Sequence, residues 1–163
     1  MGVQTIDKDL DTRTITVVSQ YDAPPERLWR LWADPRQLER WWGPPSHPAT
    51  VTEHAFEPGG AVSYYMTGPD GERYGGWWKV VAVDPPTRLE FEDGFADAEG
   101  TPNLEMPVTN VVVTIEPLAD GPTRMTVLSS YASREELEQV LEMGMLEGLA
   151  QAASQIDGLL AEG

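Results

Sequence analysis

The sequence predicts an α+β domain in which a curved antiparallel sheet packs against a long C-terminal helix. Three observations carry that prediction. Between residues 50 and 131, β-branched and aromatic stretches recur, separated by short Gly-, Pro- and Asp-rich turns, the pattern of an antiparallel meander. After them, Ser133-Arg134-Glu135-Glu136 forms a capping box, which opens a helix by satisfying orphan amides at its first turn. The 163 residues leave room for one ordinary domain.

In chain order, residues 1–11 form a polar leader, expected to be a loose tail, and the domain occupies 12–163. Residues 12–21 (T-R-T-I-T-V-V-S-Q-Y) alternate like a strand with one buried face. Early prolines then start two short helices, 24–33 and 35–41, which Gly43-Pro44-Pro45 stops. Strands follow at 50–56, 61–67, 72–83 and 88–92, with turns at Pro58-Gly59-Gly60, Gly68-Pro69-Asp70-Gly71 and Asp84-Pro85-Pro86. Residues 94–107 lack periodicity and are a candidate lid, since a loop of this length is often functional. Strands resume at 108–118 and 123–131. From Leu137 through Leu141, Met145, Gly148, Ala152 and Ile156 to Leu159, apolar or small residues recur at steps of three and four. That stripe predicts one long helix lying on the inner face of the sheet.

Composition narrows the function. Eleven Lys and Arg against 27 Asp and Glu give a net charge of −16, which argues against nucleic acid and anionic membrane as partners, because both need a basic face. The 6 Trp, 5 Tyr and 3 Phe exclude a disordered acidic chain. With no cysteine there is no disulfide, thiolate nucleophile or cysteine zinc site. No stretch reads as a signal or a membrane-spanning helix, so a cytoplasmic location is the default expectation.

Several short words occur together in a fixed order: Trp32-Ala33-Asp34-Pro35, Leu38-Glu39-Arg40-Trp41-Trp42-Gly43-Pro44, Glu57-Pro58-Gly59-Gly60, Gly68-Pro69-Asp70-Gly71, Val83-Asp84-Pro85-Pro86 with Leu89, and Glu147-Gly148-Leu149. In these words the chain resembles the Bet v 1-like, or START-related, helix-grip superfamily. Within it, the closer resemblance is to the branch named after the activator of Hsp90 ATPase, which includes calicheamicin-resistance-like proteins. The resemblance implies a curved sheet of about seven strands gripping the C-terminal helix, with a cavity between them. It also implies one of three roles: binding a hydrophobic small molecule, cyclising a polyketide, or activating an Hsp90-type ATPase. The co-chaperone role fits less well. Eukaryotic co-chaperones carry an additional N-terminal domain that supplies much of the Hsp90 contact, whereas only the polar leader precedes the first strand here.

Strand alternation selects the candidate lining. Lys79 faces water, which turns Trp78 and Val80 inward, and Val62, Tyr64 and Met66 form an inward row opposite Ser63 and Tyr65. The expected cavity residues are Trp42, Tyr64, Met66, Trp78, Phe91, Val113, Met125, Met145 and Leu149. Trp29 and Trp32 read as core. Gly144 and Gly148 either leave volume for a ligand or let the helix approach the sheet closely, and sequence does not choose between these. Tyr65 and Trp77 face outward and form a candidate homodimer patch.

Catalytic motifs are weaker. His54 serves as a general base only if it shares the strand phase of Phe56, and no partner carboxylate is evident. His54 with Glu53 and Glu57 makes no convergent metal set. There is no G-x-S-x-G elbow and no phosphate loop, so no catalytic residue and no cofactor is assigned.

Overall fold

The computed structural model describes residues 2–162. Among these, eight strands form one antiparallel sheet: β1 (Gly2–Asp9), β2 (Thr14–Tyr21), β3 (Ala49–His54), β4 (Ala61–Thr67), β5 (Arg73–Asp84), β6 (Arg88–Ala96), β7 (Thr109–Pro117) and β8 (Thr123–Ser130). Their order is β1-β2-β8-β7-β6-β5-β4-β3. Helices α1 (Pro25–Ala33) and α2 (Pro35–Leu38) follow β2, and α3 (Arg134–Glu142), α4 (Met145–Ala153) and α5 (Ile156–Ala161) end the chain. This is the expected helix-grip arrangement. None of these helices is long and apolar enough to cross a membrane.

Three expectations are corrected. The polar leader is a strand: β1 pairs with β2 from Gly2↔Gln20 to Asp9↔Thr14 and adds an eighth strand to the sheet. Its turn is closed by the Asp9 carboxylate, which accepts from the amides of Asp11 (2.9 Å) and Thr12 (3.2 Å). Its polarity disguised it. An edge strand carries charge to discourage pairing with other chains, and Gln4, Thr5, Asp7, Lys8 and Asp9 are all exposed.

The long helix is three short ones. Gly144 adopts φ +87°, a left-handed conformation that glycine tolerates and that ends α3. At the second break the Gln155 side chain donates to the carbonyls of Gly43 (2.7 Å) and Trp41 (3.3 Å), tying the α4–α5 joint to the loop after α2. Periodicity persists through both joints, which is why it does not reveal them. Strand β6 is also longer than predicted. It continues pairing to Gly75↔Ala96, because Gly94 leaves room for the Trp77 ring, with which a Cβ would collide.

The interior divides into two clusters. The larger surrounds Trp32, whose ring meets those of Trp41 at 4.7 Å, Trp42 at 5.8 Å, and Trp78 and Phe91 at 6.1 Å. Trp78 and Phe91 stack on each other at 3.8 Å, and Ala153, Ile156 and Leu159 close over this cluster. Arg27, buried in α1, holds α5 in place by donating to the Leu159 carbonyl (2.9 Å) and anchors on Gln37 of α2 (2.9 Å), a cation at the acceptor end of a helix. The smaller cluster is built from Ile15, Tyr131, Leu137 and Val140, with Met145 and Leu149 packed against it.

The two helix glycines give opposite predictions. Gly148 lies inside α4, where a Cβ would meet no atom within 4 Å, so Gly148→Ala raises stability by about 0.5–1 kcal/mol. Gly144→Ala lowers it by about 1–2 kcal/mol, because an L side chain is strained in the left-handed conformation. Urea unfolding midpoints should shift in opposite directions for the two variants.

Candidate functional site

Between the two clusters lies a cavity of about 290 Å³. The sheet supplies its floor: Val17 and Ser19 from β2, Tyr64 and Met66 from β4, Asp93 and Phe95 from β6, Thr109 and Val111 from β7, and Met125, Val127 and Ser129 from β8. Met143, Gly144, Met145, Gly148, Leu149 and Ala152 form the roof, while Trp41, Trp42 and Pro44 close one end. The spacing of residues 145, 148, 149 and 152 puts them on one face of α4. Gly148 therefore leaves volume in the cavity, the first of the two roles open from sequence.

Of the expected lining, Trp42, Tyr64, Met66, Met125, Met145 and Leu149 are brought together here. Trp78, Phe91 and Val113 are not. Trp78 and Phe91 fill each other's space in the adjoining cluster, and Val113 is fully buried farther along β7. Alternation predicted their inward direction correctly, but it carries no information about position along the strand, and that decides whether an inward residue meets the cavity or solid core.

Sequence reasoning missed the polar members, above all Asp93. It continues the inward phase of Leu89 and Phe91, so a carboxylate on a buried strand face was the available signal. The Tyr64 hydroxyl donates to Asp93 Oδ1 at 2.9 Å. Among the described residues no lysine, arginine or histidine lines the cavity. Burial consequently pushes the Asp93 carboxyl up to about 7, against the opposing effect of the Tyr64 hydrogen bond. Burial, reinforced by the nearby Asp93 charge, pushes the Tyr64 hydroxyl well above its ordinary value. Burial also raises Tyr131, at the end of β8, to about 12. Asp93 is therefore the cavity group that titrates near neutrality. The indole N–H groups of Trp42 and Trp78, whose rings pack around Tyr64, are buried without a hydrogen-bond partner.

The remaining candidates lie elsewhere. His54 does share the phase of Phe56 and stacks on it at 4.9 Å, but its Nε2 donates to the Trp32 carbonyl (3.1 Å) outside the cavity. Loop residues 97–107 fold back on β6, with the Asn103 amide on the Phe95 carbonyl at 2.7 Å, and do not line the cavity. The cover is the α3–α4 joint instead, where Met143 is 51% exposed. Trp77 is half-buried, its N–H bonded to the Phe95 carbonyl, and the Arg73 guanidinium covers Tyr65 at 4.2 Å. Among the described residues no group of three or more His, Asp or Glu is placed to hold a metal.

The family model described as activator of Hsp90 ATPase homolog 1-like protein matches residues 22–161. No curated protein matches the chain. Among solved structures, protein Ms6760 of Mycobacterium smegmatis is 52% identical, with 97% of this chain and 96% of that one covered and a TM-score of 0.88. A protein of Arthrobacter aurescens is 48% identical, with coverages of 98% and 92% and a TM-score of 0.92. A Rhodobacter sphaeroides protein at 23% identity, covered 99% on both sides with a TM-score of 0.82, shares the fold.

Asp93 makes stability depend on pH. Its folded value, about 7, lies above the ordinary 3.8, so between those values the native state keeps a proton that the unfolded chain has lost, and stability falls as pH rises through that window. Asp93→Asn removes the penalty. The variant should match or trail the parent near pH 3.5 and exceed it at pH 8 by on the order of 2–4 kcal/mol, as read from denaturant titrations at both pH values.

Proposed function

Because the chain belongs to the activator of Hsp90 ATPase homolog 1-like family, we propose that it binds a small hydrophobic or aromatic molecule between its sheet and the roof formed by the α3–α4 joint and α4. The observation that carries this reading is the division of the core. Protein interiors normally close-pack, and a gap forfeits dispersion contacts along its whole lining. Here the gap sits between two well-packed clusters and is kept by small residues, Gly148 and Ala152, at the roof. Its lining is aromatic, aliphatic and methionine-rich with a few convergent polar groups, as small-molecule sites are.

A second reading is favoured by one specific observation, the Asp93–Tyr64 pair. A carboxyl titrating near 7, hydrogen-bonded to a tyrosine in an apolar cavity, suits proton transfer at neutral pH. On this reading the protein is a cyclase-like enzyme in which Asp93 exchanges a proton with a bound carbonyl compound and Tyr64 positions its carboxyl. Wild-type turnover of a poly-β-ketone thioester mimic, lost in Asp93→Asn, is the outcome expected of an enzyme; equal rates in both proteins would leave binding alone.

Binding itself is read by intrinsic fluorescence, since Trp41 and Trp42 border the cavity. Saturable quenching by members of an aromatic and lipid panel is expected. Gly148→Phe, which directs a ring into the cavity from the face of α4, should weaken that binding by more than about tenfold while leaving the far-ultraviolet circular dichroism intact. A panel with no binder, or binding indifferent to the Gly148→Phe substitution, rejects the cavity as the site.

A further inference from the structure

A purely apolar ligand would leave Asp93 unexplained. Its carboxyl opens on the cavity, and one oxygen accepts from Tyr64 at 2.9 Å. Among the described residues, the groups facing it carry no positive charge. Its register neighbours are Trp78 on β5 and Thr109 on β7. The titratable groups around it are the phenols of Tyr64 from β4 and Tyr131 after β8. From the α3–α4 joint and α4, Met143, Met145 and Leu149 face the cavity, none of them charged. A buried carboxylate without a counter-charge is costly. An anionic ligand would add a second uncompensated charge, and the net charge of −16 would oppose its approach. A cation reverses both effects, and the aromatic rings of Trp42, Tyr64 and Tyr131 in the same lining are partners that ammonium groups favour.

We propose that the ligand is a hydrophobic amine whose ammonium group pairs with the Asp93 carboxylate while its apolar body occupies the methionine- and aromatic-lined remainder of the cavity. This rests on the cavity binding a small molecule, the reading given above. The amine takes the counter-charge position that no side chain fills, and Tyr64 holds the carboxyl oriented toward it.

The test is calorimetric titration of the full chain with naphthylmethylamine, naphthylmethanol and naphthoate, which share one ring system and differ in charge. At pH 8 the amine should bind at least about tenfold more tightly than the alcohol, with naphthoate weakest. Amine affinity should rise about tenfold between pH 6 and pH 8 as Asp93, titrating near 7, ionises. In Asp93→Asn the preference for amine over alcohol should disappear. The wild-type pH profile tests the inference even if that variant folds poorly. Equal binding of amine and alcohol, or tighter binding of naphthoate, overturns the amine inference and leaves the cavity reading standing. Failure of all three to bind likewise overturns the amine inference, and the aromatic and lipid panel then decides the cavity reading by itself.

Discussion

The position of the C-terminal helices depends on the aromatic wedge formed by Trp32, Trp41, Trp42, Trp78 and Phe91. These rings fill one end of the sheet's inner face so completely that Trp32, Trp78 and Phe91 are 1% exposed or less. Helix α5 lies over them and is held there by Arg27 on the Leu159 carbonyl, and the α4–α5 joint is held by Gln155 on Trp41 and Gly43. The height of the wedge therefore fixes where α4 must leave. Beyond it the roof offers Ala152 and Gly148, which are too small to reach the sheet. The cavity follows from a bulky spacer at one end and short side chains above the middle.

The same geometry sets the chemistry of Asp93. Pairing with β5 places it opposite Trp78, and pairing with β7 places it opposite Thr109, so its neighbours are aromatic or neutral and its direct side-chain partner is the Tyr64 hydroxyl. The molecule's many other acids sit at the surface, several paired with arginine, as in the bidentate contact of Arg40 with Glu162 at 2.7 and 2.8 Å. Those pairs are exposed and contribute little to stability. One interior carboxyl thus carries more chemical information than the whole outer coat.

Most of the fold was legible because turn chemistry and alternation are local. The Gly-, Pro- and Asp-rich turns located β3 to β8 to within a few residues, and Trp29 and Trp32 marked the buried side of α1. What sequence could not show were features set by distant partners. The polar strand β1 is ordered by its pairing with β2. The joint at Ser154 and Gln155 is fixed by the carbonyls of Trp41 and Gly43, far earlier in the chain. For the site, phase correctly turned Tyr64, Met66 and Met125 toward the interior. It could not separate Met125, which meets the cavity, from Val113, which meets solid packing on the neighbouring strand. Asp93 was legible in principle from its phase with Leu89 and Phe91, but polar residues at a strand's end ordinarily signal the approach of a loop.

The jointed C-terminal segment has an energetic consequence. Isolated helices shorter than about 12–15 residues are marginal in water, and α4 has nine residues, of which only Ala152 and Ala153 are buried. Its order is borrowed from what it docks on: Met145 and Leu149 lean on the smaller cluster, and Ala153 on the larger. Ordering of this segment and occupation of the space beneath it are therefore linked: a molecule in the cavity would add tertiary contacts to α4 and so stabilise its docked position.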